Sequence, residues 1–129
     1  MCIRDRLKPY PIYDAAAMFS RNMYVYDSLF CISFSSNKNI NIGKGGMILT
    51  NDSKAVEWFK LARYMGRHEG IPHPEDNFEM LGWNMIMTPE QAARGLQLVC
   101  HAKDHNEPKD FKYPDLSKFK IYQSKETAE

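Results

Sequence analysis

The feature that most constrains the fold is a continuous apolar run, LFCISF at residues 29–34, which ends in a polar loop. The run does not alternate between apolar and polar side chains, so a strand formed by it would be covered on both faces. A sheet that is covered on both faces requires helices packed above and below it. The run therefore predicts a buried strand in a protein of the α/β class.

Further strands and helices are predicted on either side of this run. Residues 9–14 (PYPIYD) and 47–50 (MILT) are apolar segments of strand length. Residues 51–53 (NDS) supply N-cap side chains for a helix that runs to about Gly66, a natural C-terminal stop. Residues 88–91 (TPEQ) predict the start of a second helix, because the threonine and glutamine can form a capping box and the proline suits the first helical position. This order of elements also indicates the α/β class.

Composition excludes several classes of function. The chain has 129 residues, enough for one domain with a core, and no apolar run approaches the length of a membrane span. Its net charge of +1 gives no reason to expect nucleic acid or an anionic membrane as a partner. The three cysteines form no close pair, which is typical of a reducing compartment. We therefore expect a cytoplasmic protein that binds neither nucleic acid nor membrane.

A lysine follows the apolar run in a loop of small polar residues, SSNKNINIGKGG at residues 35–46. A desolvated lysine has a lowered pKa and can attack a carbonyl carbon to form a Schiff base. Beside Lys38, the hydroxyls of Ser33, Ser35 and Ser36 could bind a phosphate, and the glycines allow positive φ. The residue order of a P-loop is absent. On chemistry alone, a solvated turn with an exposed lysine is the better interpretation.

Asp14 ends the first apolar segment. A carboxylate there could pair with the protonated ring nitrogen of pyridoxal phosphate and keep the ring cationic. The alternative is a helix or turn cap, which on residue type alone is the commoner use of an aspartate. The order of Asp14, Ser33 and Lys38 in one short stretch favours the cofactor interpretation.

Three motifs in this order resemble the DegT/StrS family of nucleotide-sugar aminotransferases. Residues 13–16 (YDAA) resemble its E-D-A-A segment, and residues 33–52 (SFSSNKNINIGKGGMILTND) resemble its central lysine motif. Residues 82–96 (GWNMIMTPEQAARGL) resemble its signature G-[YW]-N-x-[RK]-M-x-x-x-Q-A-A-x-G-L. Three ordered motifs rarely arise by chance, and the match covers roughly residues 9–100.

The resemblance implies part of the large domain of a fold-type-I enzyme, with a mainly parallel sheet, flanking helices and pyridoxal 5'-phosphate as cofactor. By matching position, Lys38 would bind the cofactor aldehyde and act as acid and base in a 1,3-proton shift. Asp14 would hold the pyridine nitrogen, and Ser33 would bind the phosphate. Asn84 would reach the phosphate in the other subunit of a homodimer. The implied reaction moves an amino group, usually from glutamate, to a nucleotide-linked keto-sugar in amino-sugar or polysaccharide biosynthesis.

The chain departs from the family pattern at three positions. Ala17 stands where the family commonly has His or Gln against the cofactor ring, and Lys44 replaces the acid of G-[ED]-G-G. Ile86 replaces a basic residue and removes an anion contact. A branch of the family with histidine at the lysine position performs dehydration, and Lys38 argues against that branch.

Family members are much longer than this chain, which sets the expected domain organisation. We expect residues 9–102 to form a partial large domain that is inactive by itself. Residues 1–8 are interpreted as a non-native or disordered lead, because they do not continue into a periodic element. Residues 103–129 are interpreted as a polar tail at the start of a C-terminal region.

Two alternative functions remain open at this point. The first is a non-catalytic α/β fragment that acts through a partner chain, which Ala17 and Ile86 favour and the four site residues oppose. The second is a fold-type-I enzyme with other chemistry on the same cofactor, which the paired motifs around Lys38 and Asn84 oppose. His101 and His105 have the spacing of one helix face, but no further ligands accompany them, so we predict no metal site.

Overall fold

The computed structural model describes residues 5–7, 9–107 and 114–122. Its strands and helices are β1 (Asp5–Leu7), β2 (Ile12–Asp14), β3 (Leu29–Ser33), β4 (Gly46–Leu49), α1 (Ser53–Arg63) and α2 (Pro89–Cys100). Three short 3-10 helices lie at His73–Glu75, Leu116–Lys118 and Lys120–Tyr122. Among the described helices, none combines the length and the apolar character that a bilayer span requires. The predicted α/β class is confirmed.

The four strands form one mixed sheet in the order β1-β2-β3-β4. Among the described strand pairs, β2 and β3 are parallel and the other two pairs are antiparallel, so the described sheet is mixed and not mainly parallel as predicted. Residues 15–28 provide the crossover that a parallel pair needs, whereas the loop after β3 returns directly beside it. Strand β1 was not predicted, since backbone pairing with β2 requires no side-chain pattern.

The core lies on one face of the sheet. Phe30 is fully buried and Ile32 is 5% exposed, while the intervening Cys31 and Ser33 are half-buried. Because side chains alternate along a strand, the apolar run has one covered face and one partly open face. The prediction that both faces are covered is therefore correct for one face only. The buried cluster consists of Ala15, Met23, Phe30, Ile32, Phe34, Ile40 and Ile42.

Both predicted helix starts are confirmed by their caps. The Asp52 side chain accepts hydrogen bonds from the first turn of α1, and Thr88 and Gln91 form the predicted capping box of α2. At the end of α1, the backbone N–H of Gly66 donates to the carbonyl of Leu61 over 2.8 Å. Gly66 has a φ of 76°, as a glycine stop requires.

A second glycine explains how residues 80–85 cross the end of α1. A Cβ at Gly66 would overlap the carbonyl oxygen of Met80, and a Cβ at Gly82 would overlap the backbone nitrogen of Gly66. The close approach lets the N–H of Trp83 donate to the carbonyl of Ala62 over 2.6 Å. The glycine of the third motif is therefore required by packing against α1.

The first residues of the predicted polar tail pack back onto the domain. The backbone N–H of Arg21 donates to the carbonyl of Asp104 over 2.7 Å. The Asn106 side chain donates to the carbonyl of Phe19 over 2.7 Å, and Ser20 exchanges hydrogen bonds with the Asn106 backbone. Residues 103–107 therefore pack against the connection between β2 and β3.

Candidate functional site

Asp14 and Ser33 lie at the same edge of the sheet. Each is the last residue of its strand, and the two strands, β2 and β3, are parallel neighbours. Asp14 is aligned with Cys31, so Ser33 lies two residues further along the neighbouring strand. Ligands of α/β proteins bind outside the carboxyl ends of parallel strands. This edge is therefore the candidate site.

The two side chains also share one face of the sheet. Tyr13 packs against Phe30 on the core face, with ring centroids 6.1 Å apart. Since side chains alternate, Asp14, Cys31 and Ser33 lie on the opposite face. This shared face was not predictable from the sequence, because it depends on the register between β2 and β3.

The charge of Asp14 also affects Cys31 on the neighbouring strand. Burial raises the pKa of the Cys31 thiol, and the negative charge of Asp14 raises it further. A raised thiol pKa means that Cys31 stays protonated and is a poor nucleophile. Sequence analysis gave Cys31 no role at the site, because it lies inside the apolar run.

Asp14 also forms a local turn. Its Oδ1 accepts a hydrogen bond from the backbone N–H of Ala16 over 2.9 Å, and its side chain is exposed. The alternative interpretation as a turn cap is thus observed, and it is compatible with a ligand contact because a carboxylate has several acceptor sites. The cap orients the carboxylate at the end of β2.

The loop that carries Lys38 is tied to the end of β3. The N–H of Phe34 donates to the carbonyl of Gly45 over 2.9 Å, and the N–H of Ile42 donates to the carbonyl of Phe34 over 3.1 Å. The N–H of Lys38 donates to the carbonyl of Ser35 over 3.0 Å, and the residue is half-buried. The loop is therefore a packed structure beside the strand ends.

Serine hydroxyls lie between β3 and Lys38. Ser33 Oγ donates to Ser35 Oγ over 3.3 Å, and Ser35 Oγ is 3.3 Å from Asn37 Oδ1. Two of the three serines singled out in the sequence are thus brought together. The third, Ser36, uses its backbone carbonyl to accept a hydrogen bond from the Asn41 side chain.

Asn84 lies on a different segment from these groups. It forms an isolated antiparallel bridge with Tyr64, next to the end of α1, and it is exposed. Within one chain, the position of Asn84 is therefore set by residues 80–85, which cross the end of α1. Its predicted contact in a second subunit stays a prediction.

An open cleft separates α1 from β3 and β4. It has a volume of about 830 Å³ and is lined mainly by apolar side chains. Its wall includes Cys31 and Ile48, which share a face of the sheet with Asp14 and Ser33, and also Ile32 and Met47, which lie on the opposite face. Apolar contributions come from Ile48, Val56, Phe59, Trp83 and Met85.

A second polar cluster lies in the loop after α1. The Asp76 side chain is fully buried, and its Oδ1 lies 2.8 Å from His68 Nδ1. Asp76 Oδ2 accepts from the His68 backbone N–H over 2.9 Å and lies 3.6 Å from Arg67 Nε. The hydrogen bond between the side chains raises the pKa of His68 and lowers that of Asp76. His68 therefore has a structural partner inside its own loop.

The histidine pair at the end of α2 does not share a helix face. Helix α2 ends at Cys100, and the Nδ1 of His101 is hydrogen-bonded to the carbonyl of Gln97 over 2.8 Å. His105 lies beyond the helix, 3.2 Å from Glu107. Within the described ranges, no group of three or more metal-ligating side chains comes together.

The groups at the strand ends are chemically suited to pyridoxal phosphate. That cofactor needs a carboxylate for its ring nitrogen, donors for its phosphate and an amine for its aldehyde. Asp14 and the linked hydroxyls of Ser33 and Ser35 offer the first two, and the loop that bears Lys38 begins beside them. Ala17, which is half-buried, offers only a methyl group where the family has a ring contact. The available residues therefore fit the group, apart from that contact.

Comparison with known proteins agrees with the second and third motifs, whereas the first, at residues 13–16, lies outside the matched range. The model of the DegT/DnrJ/EryC1/StrS aminotransferase family matches residues 17–118. The chain is also 38% identical over 73 residues to GDP-perosamine synthase from Caulobacter vibrioides. That alignment covers 57% of this chain and 19% of the relative, so it spans a minor part of the relative's length. Because the family model spans most of the sequence, the chain belongs to the DegT/DnrJ/EryC1/StrS aminotransferase family.

Proposed function

We propose that this chain is part of the large domain of a fold-type-I aminotransferase that uses pyridoxal 5'-phosphate. Its reaction is the transfer of an amino group, from glutamate, to a keto-sugar attached to a nucleotide. Family membership supports the aminotransferase activity, and the relative named GDP-perosamine synthase supports the nucleotide-linked sugar. The setting is amino-sugar or polysaccharide biosynthesis in the cytoplasm, by a homodimer.

The main structural support for the proposal is the placement of Asp14, Ser33 and the Lys38 loop. Asp14 and Ser33 end two adjacent parallel strands and lie on one face of the sheet, and the Lys38 loop starts directly beyond them. A lone lysine in a loop would be unremarkable. An acid and paired hydroxyls at one strand edge, with a lysine in the loop that starts there, are the kinds of group that this cofactor needs.

When bound, pyridoxal phosphate supplies an aldehyde for amine exchange and a cationic ring that accepts electron density from the reacting carbon. Asp14 would hold the proton on the ring nitrogen through its carboxylate. Ser33 and Ser35 would donate hydrogen bonds from Oγ to the phosphate oxygens. Lys38 would hold the cofactor through Nζ, and the same amine would act as the acid and base that moves a proton at the reacting carbon.

Asn84 would act in the second copy of the chain. Its exposed side chain, held at the end of α1 by the bridge to Tyr64, is available for contact with another molecule. An amide group can donate to a phosphate oxygen without adding charge. This role requires the homodimer.

Selective covalent capture of Lys38 tests the proposal. The protein is incubated with pyridoxal phosphate, the adduct is fixed with borohydride, and the labelled lysines are mapped by mass spectrometry. The matched control is Lys44→Ala, which removes an exposed lysine from the same loop. Adduct formation is measured instead of turnover because the alignment covers only 19% of the relative; we expect no turnover by this chain alone.

We expect label at Lys38 in the unmodified protein and in Lys44→Ala, and its loss in Lys38→Ala. Asp14→Asn should weaken labelling, because the ring nitrogen loses its negative partner. Equal labelling of Lys38 and exposed lysines would contradict the proposal. It would favour a non-catalytic fragment that acts through a partner chain.

That second candidate rests on a specific observation. Large apolar side chains are exposed on the surface, including Trp58 at 50%, Trp83 at 54% and Met85 at 66%. Contiguous apolar surface of this kind is typical of regions covered by other protein. All three side chains line the cleft beside α1. The same surface is also compatible with an enzyme whose remaining parts cover it.

A further inference from the structure

The Lys38 loop contains an internal brace that the three motifs do not explain. We propose that Asn41, held by Arg94 of α2, is a positioning residue that sets the place of Lys38 at the candidate site. The proposal rests on the proposed function, since it assigns Asn41 a role toward the lysine that binds the cofactor.

The Asn41 side chain bonds to backbone on both sides of Lys38. Its Nδ2 donates to the carbonyl of Ser36 over 2.6 Å, and its Oδ1 accepts from the N–H of Gly43 over 2.9 Å. The first bond closes the segment 36–41 into a ring that contains Lys38. The second holds Gly43, whose φ of 90° reverses the chain toward β4.

The position of Asn41 is itself determined by the core. Its neighbours Ile40 and Ile42 are 4% and 6% exposed and belong to the buried cluster. A close-packed interior resists displacement of these side chains. Asn41 therefore transmits the rigidity of the core to the part of the loop that bears the lysine.

Helix α2 provides a second restraint on Asn41. Arg94 Nε donates to the Asn41 carbonyl over 3.1 Å, a contact between residues far apart in the sequence. A Cβ at the adjacent Gly95 would lie 3.7 Å from the Ile42 side chain, so the helix rests against the loop. Arg94 and Gly95 of the third motif therefore contact the lysine loop of the second motif.

A lysine requires such a restraint because its flexible four-carbon stem does not by itself fix the amine. The reach of Nζ depends on where the backbone holds the Cα. A misplacement of about 1 Å at a reacting group can lower a rate by about 100-fold. Loss of the brace should therefore slow reaction at Lys38 while the chain stays folded.

The test compares labelling of two lysines in the same molecule. Pyridoxal phosphate adducts are fixed with borohydride at several times and pH values, and the ratio of label at Lys38 to label at Lys44 is measured. We expect Asn41→Ala to lower this ratio by about tenfold, a smaller effect than the roughly 100-fold loss for a misplacement of about 1 Å. The amide of Gly43 should also exchange its hydrogen faster.

Two further substitutions separate positioning from folding. Asn41→Asp keeps an acceptor for the Gly43 N–H but loses the donor to Ser36, so the ratio should again fall. Arg94→Leu should lower the ratio less, and Arg94→Lys should restore it because a donor is retained. Circular dichroism verifies that each variant is folded.

The matched control is Asn51→Ala, which removes three side-chain hydrogen bonds at the other end of β4, including one from the Tyr24 hydroxyl. Asn51 accepts from the Asp27 N–H and donates to the Asp27 carboxylate, each over 2.9 Å. We expect the labelling ratio of this variant, and its dependence on pH, to equal that of the unmodified protein. A fall as large as that of Asn41→Ala would mean that general destabilisation is the cause, and would overturn the proposal.

The remaining outcomes distinguish this inference from the proposed function. An unchanged ratio in folded Asn41→Ala and Asn41→Asp overturns the positioning role and leaves the proposed function intact. No preference for Lys38 in the unmodified protein refutes the proposed function, and the positioning role falls with it. A reduced ratio, with rescue by Arg94→Lys and no effect of Asn51→Ala, supports the inference.

Discussion

Replacing Gly66 with alanine tests the close crossing of residues 80–85 over the end of α1. Gly66 has a φ of 76°, and a Cβ there would overlap the carbonyl oxygen of Met80. Gly70 offers a matched control, because its φ is 84° and a Cβ there would meet nothing within 4 Å. The two substitutions therefore share the conformational cost, and only one adds a steric clash.

The structure sets the size of the expected difference. A non-glycine residue in the left-handed conformation costs roughly 1–2 kcal/mol, which is all that Gly70→Ala should lose. In Gly66→Ala the crossing segment must also move, which breaks the bond from Trp83 N–H to the Ala62 carbonyl and that from Met65 N–H to the Trp83 carbonyl. At about 1 kcal/mol for each bond, the total loss is about 3–4 kcal/mol.

Urea denaturation followed by circular dichroism measures both losses. With a denaturant slope of about 2 kcal/mol per molar, the midpoint of Gly66→Ala should lie about 1 M below that of Gly70→Ala. Such a loss is a large part of the stability of a small domain, about 5–15 kcal/mol. Equal midpoints for the two variants would refute the crossing and the explanation given for the glycine of the third motif.

Three further predictions address the core, a helix cap and the loop after α1. Phe30→Ala should lower the free energy of unfolding by about 3–5 kcal/mol, because Phe30 is fully buried; a loss below 1 kcal/mol in urea denaturation would contradict this packing. Thr88→Ala should cost about 1 kcal/mol through the lost cap, and Thr88→Ser should restore most of it in the same assay. The hydrogen bond with Asp76 raises the pKa of His68 above its ordinary 6.5, so protonated His68 stabilises the fold below that value, and this contribution is lost as pH rises through the raised pKa. Thermal denaturation against pH should therefore show a decline in this window that is absent in His68→Gln, and identical profiles would argue against the pair.

Local signals in the sequence predicted the helices well. The Asp52 cap, the capping box of Thr88 and Gln91 and the stop at Gly66 all appear as expected. These features depend on residues within one turn of each other, so their hydrogen bonds are encoded in short stretches. The family motifs were recognisable for the same reason, since each is contiguous.

The sheet was harder to predict, because strand partners are separated in the sequence. The apolar run predicted β3, but it could not predict that β1 would pair with β2 or that β4 would run antiparallel. The partly open face of β3, with Cys31 and Ser33, also escaped prediction. An apolar run has the same sequence whether a neighbour covers one of its faces or both.

For the candidate site too, some features were predictable from the sequence and others depended on the tertiary structure. The sequence by itself determined the caps, the α/β class, the family and the candidates Asp14, Ser33, Lys38 and Asn84. Only the tertiary structure decided that Asp14 and Ser33 share one face and that Asn41 and Arg94 brace the lysine loop. The physical reason is that strand register and contacts between distant segments are set when the whole core packs, and no local pattern of side chains records them.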